Sequence, residues 1–318
     1  MRVVITGGAG FIGSHLTEAV LAAGHEAAVI DDYSTGRRRN LDAVRDSPRL
    51  SLHHLDVSSP EAAEVVRGFR PDALLLLGAQ MSVKTSMRDP LLDARVNVLG
   101  LVNLLAAAAD SGTRRVVFAS SGGTVYGAVP PERLPLTEDL PHRPLSFYGL
   151  TKSVAHEYLR IYREQYGIDH VALALGNVYG PRQDPLGEAG VISIFAQRML
   201  RGRECVVNGD GRTTRDYVYV ADVVRAFLAA LERGSGPVNL GTGIETSVLD
   251  VLGELARCLG TEPVVRHGPA LAGEVRRVCL SPRRAEEQLG WRPSVALPEG
   301  IAALVAHLRE EDARAPLH

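Results

Sequence analysis

Lysine stands at only two of 318 positions, Lys84 and Lys152, in a chain whose other strong bases are all arginine. Lys152 follows Tyr148 by four residues, and on a helix that spacing sets phenol and ammonium on one face. A phenol titrates near ~10 in water, so it serves as a base near neutrality only where a fixed cation favours the phenolate. A compact ammonium fits beside a cofactor ring where a broad guanidinium fork does not. Taken alone, such a pair is an ordinary solvated helix pair, and the surrounding chain has to decide. Ser120-Ser121-Gly122-Gly123-Thr124-Val125-Tyr126-Gly127 closes a predicted strand, at the end where open α/β sheets place their ligands. Hydroxyls grouped there can bond a substrate oxygen while Tyr148 exchanges its proton, whereas taken alone such a Ser/Gly/Thr cluster is an ordinary loop; its place 24 residues before Tyr148, counted from Thr124, favours the first.

A second constellation opens the chain. The first apolar run leads directly into Gly7-Gly8-Ala9-Gly10-Phe11-Ile12-Gly13, which satisfies Gly-x-Gly-x-x-Gly read from Gly8 and Gly-x-x-Gly-x-x-Gly read from Gly7. Between a strand and a helix, such glycines let backbone amides approach a pyrophosphate at the helix N-terminus. Asp31-Asp32 closes the second strand about 20 residues further on, where an acid bonds the adenosine ribose hydroxyls. A carboxylate there repels a 2′-phosphate and favours NAD over NADP. Arg37-Arg38-Arg39 follows and is chemically able to receive that phosphate, but two aspartates stand first, and the run reads as a solvated loop edge. Asp56-Val57, after the third strand, has two readings: contact with the adenine amine, or a helix-capping acid before Ser58-Ser59-Pro60.

The elements that must position these residues follow from periodicity. Strands are expected at 3–5, 27–30, 50–54, 73–77, 115–119 and 171–175, alternating with helices at 14–23, 62–69, 90–111 and 151–166. That alternation predicts an α/β fold, a Rossmann-type doubly wound parallel sheet. Beyond residue 175 the pattern loosens into Gly- and Pro-rich loops with helices at 191–200, 221–231 and 249–259. The expected division is a dinucleotide-binding domain over 1–175 and a smaller, mainly substrate-binding lobe over 176–318, with part of 215–240 returning to the first.

Bulk properties narrow the class. With 45% hydrophobic residues the chain can bury a full core, and a net charge of −2 gives no electrostatic case for nucleic acid or an anionic membrane. Cys205, Cys258 and Cys279 are too scattered for a disulfide framework or a metal cluster. Absence of a signal-type apolar segment and of any run of ~18 apolar residues makes the cytoplasm the default location.

Together these motifs resemble the extended short-chain dehydrogenase/reductases, and within them the nucleotide-sugar 4-epimerases of the UDP-glucose type. The resemblance spans nearly the whole chain and includes Ala79-Gln80-Met81-Ser82-Val83, Asn97-Val98-Leu99-Gly100, Asn177-Val178-Tyr179-Gly180-Pro181-Arg182, Gly209-Asp210-Gly211, Arg215-Asp216-Tyr217-Val218-Tyr219-Val220 and Asn239-Leu240-Gly241-Thr242-Gly243. It implies that Tyr148 is the acid/base, that Lys152 holds the nicotinamide ribose and lowers the tyrosine pKa, and that Thr124 with Ser121 binds the reacting hydroxyl. For the cofactor it implies contacts from Gly7, Gly10, Phe11, Ile12, Gly13, Asp31, Asp32, Asp56, Val57, Ala79, Gln80 and Ser120, with Lys84 on the pyrophosphate and Asn97 supporting the active-site backbone. For the UDP-sugar it implies Asn177, Arg182, Val191, Arg215 and Arg276. Structural roles compete for three of these: a loop cap for Asn177, a surface ion pair with Asp216 for Arg215, and a helix hydrogen bond for Asn97.

The implied reaction is NAD-dependent epimerisation at C4 through a transient 4-keto sugar, with NAD retained and UDP-glucose/UDP-galactose as substrates. UDP-glucuronate, with Arg182 as a cation for its carboxylate, and UDP-N-acetylhexosamine are alternatives. A nucleotide-sugar 4,6-dehydratase is disfavoured because Gly123-Thr124 stands where an Asp-Glu pair is expected. A non-enzymatic NAD-binding protein has no need of the Tyr148/Lys152 pair. Three departures from the family pattern touch the sugar side: Gly122 replaces a serine, Leu271 replaces a diphosphate-binding arginine, and Leu175-Gly176 replaces an aromatic and a small residue. Homodimerisation through 90–111 and 151–166 is also implied, with Ala106–Ala109 permitting close helix packing.

Overall fold

Seven parallel strands stand in the order β11-β6-β5-β4-β1-β2-β3: β1 Arg2–Thr6, β2 Glu26–Asp31, β3 Leu50–His54, β4 Ala73–Leu76, β5 Arg115–Ser121, β6 Asp169–Leu175 and β11 Gly236–Leu240. The computed structural model describes residues 1–185, 190–270 and 275–314. The four residues of β4 are all buried, as a strand covered on both faces requires. Successive residues of β1 serve opposite cores. Val3 and Ile5 join Leu16, Val20, Phe227 and Trp291 on one face, whereas Val4 joins Leu74, Leu105 and Leu159 on the other. The first face is covered by α1 Phe11–Ala22, α9 Val220–Glu232 and α11 Arg283–Leu289, and the second by α2 Pro60–Phe69, α5 Gly100–Ser111 and α7 Phe147–Tyr166. The doubly wound sheet expected from the alternation is therefore present, and it gains β11, which runs parallel to β6 with Val238 opposite Leu173. The strand order reverses direction between β1 and β4, which opens a crevice at their C-terminal ends.

A smaller body follows, in which α8 Val191–Leu200, β8 Cys205–Asn208, α10 Val248–Leu259, β13 Val265–Gly268 and α12 Leu297–Arg314 surround Phe195, Val207, Leu252 and Leu304. Parallel pairing of β10 Tyr217–Tyr219 with β7 Asn177–Tyr179 ties the two bodies together. Asp216 is wholly buried between them, accepting hydrogen bonds from the Thr242, Gly243 and Leu280 amides.

Three helices differ from expectation, each for a local reason. The first begins at Phe11, not at 14, and has no side-chain cap. The helix expected at 151–166 begins at Phe147, because Ser146 caps it by accepting from the Gly149 amide at 3.1 Å. Tyr148 therefore lies in its first turn. The helix expected over 90–111 is interrupted: α4 Pro90–Ala94 passes through a π-helical turn at Arg95–Leu99 into α5. Pro90–Ser111 meets the length and composition of a membrane span, which the expected absence of such a run did not anticipate, yet it carries the buried Asp93 and Asn97. Ala107 and Ala108 are fully buried against the chain's own core, so they are not available for packing against a second copy.

The outer edge of the sheet carries three imidazoles in a cleft of about 560 Å³, His142, His156 and His170. His142 and His156 meet edge to face at 4.8 Å between ring centroids, His156 Nε2 lies 2.8 Å from Ser120 Oγ, and His170 Nδ1 is buried without a partner. Burial depresses all three pKa values; His156, further opposed by His142, His170 and Lys152, falls to about 3, and His170 to about 4. In the unfolded chain the same rings take protons near ~6.5, so below that pH the unfolded state binds more protons than the folded one. Stability measured by urea unfolding is expected to hold above pH ~6.5 and to fall toward pH ~4, by up to ~1.4 kcal/mol per pH unit for each ring involved. His156→Gln should flatten that slope; an unchanged slope in the variant would contradict the assignment.

Candidate active site

The crevice at the β1/β4 switch is lined by backbone. Gly7 has φ +67°, and a side chain there would begin 2.9 Å from the Gly78 amide nitrogen. At Gly13 a Cβ would fall 2.0 Å from the Gly7 carbonyl oxygen, so α1 sits directly on the loop that precedes it. Because α1 lacks a side-chain cap, its first-turn amides at Phe11 and Ile12 face the crevice side of the helix end, where an anion is favoured. Asp31 ends β2 and is nearly buried; its two oxygens accept from the Ala9 and Tyr33 amides, each at 2.8 Å. Burial raises its pKa, and those two amides counter the rise. Asp32 is exposed and closes a turn on Ser34, accepting from its amide at 2.9 Å. A backbone cradle that only glycine permits, followed by a carboxylate anchored for ribose hydroxyls, fits a dinucleotide.

Each arginine of the 37–39 run is engaged elsewhere: Arg37 with Asp184 at 3.0 Å, Arg38 over the Tyr33 ring at 4.4 Å, and Arg39 with Glu311 at 3.1 Å. Asp56 is not the cap of α2. Ser59 is, accepting from the Ala62 amide, while Asp56 accepts from the amide and hydroxyl of Ser58, each at 2.8 Å. Val57 packs under Gly78 and Gly100, where a Cβ on either glycine would come within 3.1 Å and 2.7 Å of its methyls.

The cluster of Tyr148, Lys152, Ser121 and Thr124 stands at the end of β5. Lys152 is 4% exposed; its Nζ donates to the Ala119 carbonyl at 2.8 Å and lies 4.7 Å from the Phe118 ring centroid and 5.8 Å from that of Tyr148. Burial lowers its pKa to about 8, against the pull of Asp93. The Ser121 side chain stands near the Tyr148 phenol. Burial raises the phenol to about 12, Ser121 lowers it, and Asp93 adds to the rise. Thr124, on the short helix α6 Gly122–Val125, carries a buried Oγ1 with no hydrogen-bond partner. A Cβ on Gly149 would fall 2.7 Å from the Thr124 carbonyl oxygen, so α7 presses against α6 one residue from Tyr148. Gly122 is a glycine for a steric reason, since a side chain there would begin 2.4 Å from Leu280. Asn177 joins from β7, its Oδ1 standing 4.0 Å from where a Gly123 side chain would start.

Asn97 braces the cluster from the π-helical turn. Its Oδ1 accepts from the Gln80 amide at 2.9 Å, and its Nδ2 donates to the Gln80 carbonyl at 2.9 Å and to Asp93 Oδ1 at 3.1 Å. It is thus the helix hydrogen-bonder and the backbone support at once. Asp93 and His156 escaped the reading of the sequence; the available signal was a lone carboxylate inside an apolar helix, since buried polar residues are the informative ones. Lys84 is exposed on α3 Val83–Arg88 and makes no hydrogen bond or ion pair among the described residues.

The residues expected around the sugar nucleotide are dispersed. Arg182 is directed to α1, pairing with Glu18 at 2.6 Å and donating to Ser14 Oγ at 3.2 Å, so the cation expected for a sugar carboxylate is engaged there. Arg276 is exposed and lies 3.3 Å from Asp210. Arg215 donates to the Thr214 carbonyl, and the competing reading of a surface ion pair with Asp216 does not hold, since that carboxylate is buried and bonded to loop amides. Val191 is half-buried at the head of α8. Leu175 is buried, and Gly176 admits no Cβ, which would fall 2.8 Å from the Asp216 carbonyl oxygen. The substituted position Leu271 lies outside the described residues.

Comparison with known proteins places this geometry in a family. The pattern of the NAD dependent epimerase/dehydratase family matches residues 3–241. A UDP-glucose 4-epimerase of Mycolicibacterium smegmatis is 44% identical over 317 residues, covering 98% of this chain and 99% of the relative. The crystal structure of a Thermus thermophilus UDP-glucose 4-epimerase in complex with NAD superposes with a TM-score of 0.91 at 43% identity, over 97% of this chain and 99% of that one. A Thermotoga maritima UDP-glucose 4-epimerase solved with UDP-glucose gives a TM-score of 0.92 at 39% identity, over 98% and 99% of the two chains. The chain belongs to the NAD dependent epimerase/dehydratase family.

Proposed function

We propose that the protein interconverts UDP-glucose and UDP-galactose by epimerisation at C4, retaining NAD through each turnover. The observation that carries this reading is the buried Thr124 hydroxyl without a partner on α6, the helix against which Gly149 packs next in sequence to Tyr148, together with the Lys152 ammonium 5.8 Å from the Tyr148 ring: a proton-exchange site with one hydroxyl left for a sugar oxygen. Bound NAD supplies the hydride acceptor and donor at C4. Tyr148 takes the proton from the sugar 4-hydroxyl and later returns it. Ser121 holds the phenol in place, and Thr124 bonds the sugar oxygen at which the proton moves. Lys152 supplies a positive charge that favours the phenolate, against the burial that raises the Tyr148 phenol. Gly7, Gly10, Phe11, Ile12 and Gly13 receive the pyrophosphate, Asp31 the ribose, and Lys84, Ala79, Gln80 and Asn97 complete the cofactor side. Asn177, Val191 and Arg215 serve the UDP-sugar. In this division residues 1–175 hold NAD, residues 176–318 mainly hold the substrate, and 215–240 belongs partly to both.

The engagement of Arg182 with Glu18 favours a neutral hexose over a glucuronate. Proton NMR of the purified protein with UDP-glucose, UDP-glucuronate or UDP-N-acetylglucosamine, without added cofactor, is expected to show the galacto product from the first. Conversion of another substrate alone would reassign the sugar. Tyr148→Phe should lower kcat by ~10³-fold or more with NAD still bound, and Thr124→Val by ~10²-fold with recovery in Thr124→Ser.

We also propose a homodimer. Met87, Leu91, Leu99, Leu150 and Ile161 are exposed on α3, α4, the π-helical turn and α7, a row of apolar side chains that a second copy would cover. Leu99→Glu is expected to shift the mass measured by light scattering from two chains to one; wild-type protein already at one chain would sink the proposal.

A further inference from the structure

The carboxylate of Asp93 is fully buried, and its partners are neutral. Oδ1 accepts from Gln80 Nε2 at 2.7 Å and Asn97 Nδ2 at 3.1 Å, and Oδ2 accepts from Thr151 Oγ1 at 2.9 Å. These three bonds reach three separate pieces of the site: the loop after β4, the π-helical turn, and the turn of α7 between Tyr148 and Lys152. An ionised carboxylate removed from water needs compensation by charge as well as by hydrogen bonds. The cation on hand is Lys152, whose neighbour in sequence, Thr151, is bonded to Asp93 and which lines one small cavity together with Asn97, Phe118 and Gly78.

We propose that Asp93 is a positioning residue that acts through Lys152, as the buried counter-charge that keeps the ammonium protonated while its three hydrogen bonds hold α7 against the cofactor loop. The proposal rests on the epimerase reading only for its kinetic consequence. The charged and titratable groups facing Lys152 are Tyr148 and His156 from α7 and Asp93 from α4; β5 offers it the Ala119 carbonyl and the Phe118 ring. Burial drives the ammonium toward its neutral form, and Asp93 opposes this. Loss of the negative charge therefore moves the Lys152 titration to lower pH, and the pH at which Tyr148 loses its cationic neighbour moves with it.

Asp93→Asn keeps an oxygen for Gln80 and Asn97 and a polar group for Thr151 while removing the charge. The chain has two lysines, so protein labelled at lysine side chains gives two NMR signals, with exposed Lys84 as an internal reference. In Asp93→Asn the Lys152 signal is expected to titrate about one pH unit lower than in wild type, with Lys84 unmoved. The alkaline limb of kcat should move down by the same amount, about a tenfold loss of kcat at a pH on that limb, with KM unchanged and the limb restored in Asp93→Glu. Asp93→Ser carries the same expectation should the asparagine variant not fold. An unmoved Lys152 titration alongside a lowered melting temperature would reduce Asp93 to a structural tie. Because the NMR readout needs no substrate, failure of the substrate assignment leaves this test intact.

Discussion

A positive charge held out of water governs the site. Lys152 is buried under the end of β5, where a carbonyl, an aromatic ring and the field of Asp93 receive its ammonium. Such a charge survives only where every contact is fixed, because desolvation drives it to shed its proton. Much of the surrounding architecture has that effect. The Ser146 cap starts α7 early enough to include Tyr148, the Gly149 contact presses α7 onto α6, and Asn97 with Asp93 ties α7 to the loop after β4. Burial raises the Tyr148 phenol as it lowers the Lys152 ammonium.

The cofactor side obeys a different constraint, the closeness of backbone to backbone. Gly7 and Gly13 admit no side chains, and α1 begins without a cap, which leaves the helix end and its amides at the point where the strand order reverses. The anchoring of Asp31 by two amides holds a carboxylate in a fixed orientation instead of letting it rotate in solvent. Engagement of Arg37, Arg38 and Arg39 with Asp184, Tyr33 and Glu311 agrees with the preference for a ribose without a 2′-phosphate.

On the sugar side, departures from the family pattern have steric explanations. Leu280 occupies the space that a side chain at Gly122 would need, and the Asp216 carbonyl excludes one at Gly176. With no hydroxyl at 122, Thr124 on the same short helix keeps a buried Oγ1 without a partner. Removal of Arg182 to α1 makes the cluster less suited to a second carboxylate and more suited to a neutral hexose.

Residue spacing made the glycine cradle, the Asp31 position, the Tyr148–Lys152 pair and the strand-helix alternation legible, because each depends on neighbours within a turn or a strand. Where the reading of the sequence strayed, the missing information was long-range. Arg182 reaches a helix some 164 residues earlier in the chain, and Asp93 meets Thr151 across 58 positions. The π-helical turn at Arg95–Leu99, which carries Asn97, had no sequence signal of its own. The sequence by itself determined the fold class and the reactive pair, which are local matters of type and period. Tertiary structure alone decided which charges face the pair and which are turned away, because a buried charge is set by whatever the folded chain brings beside it.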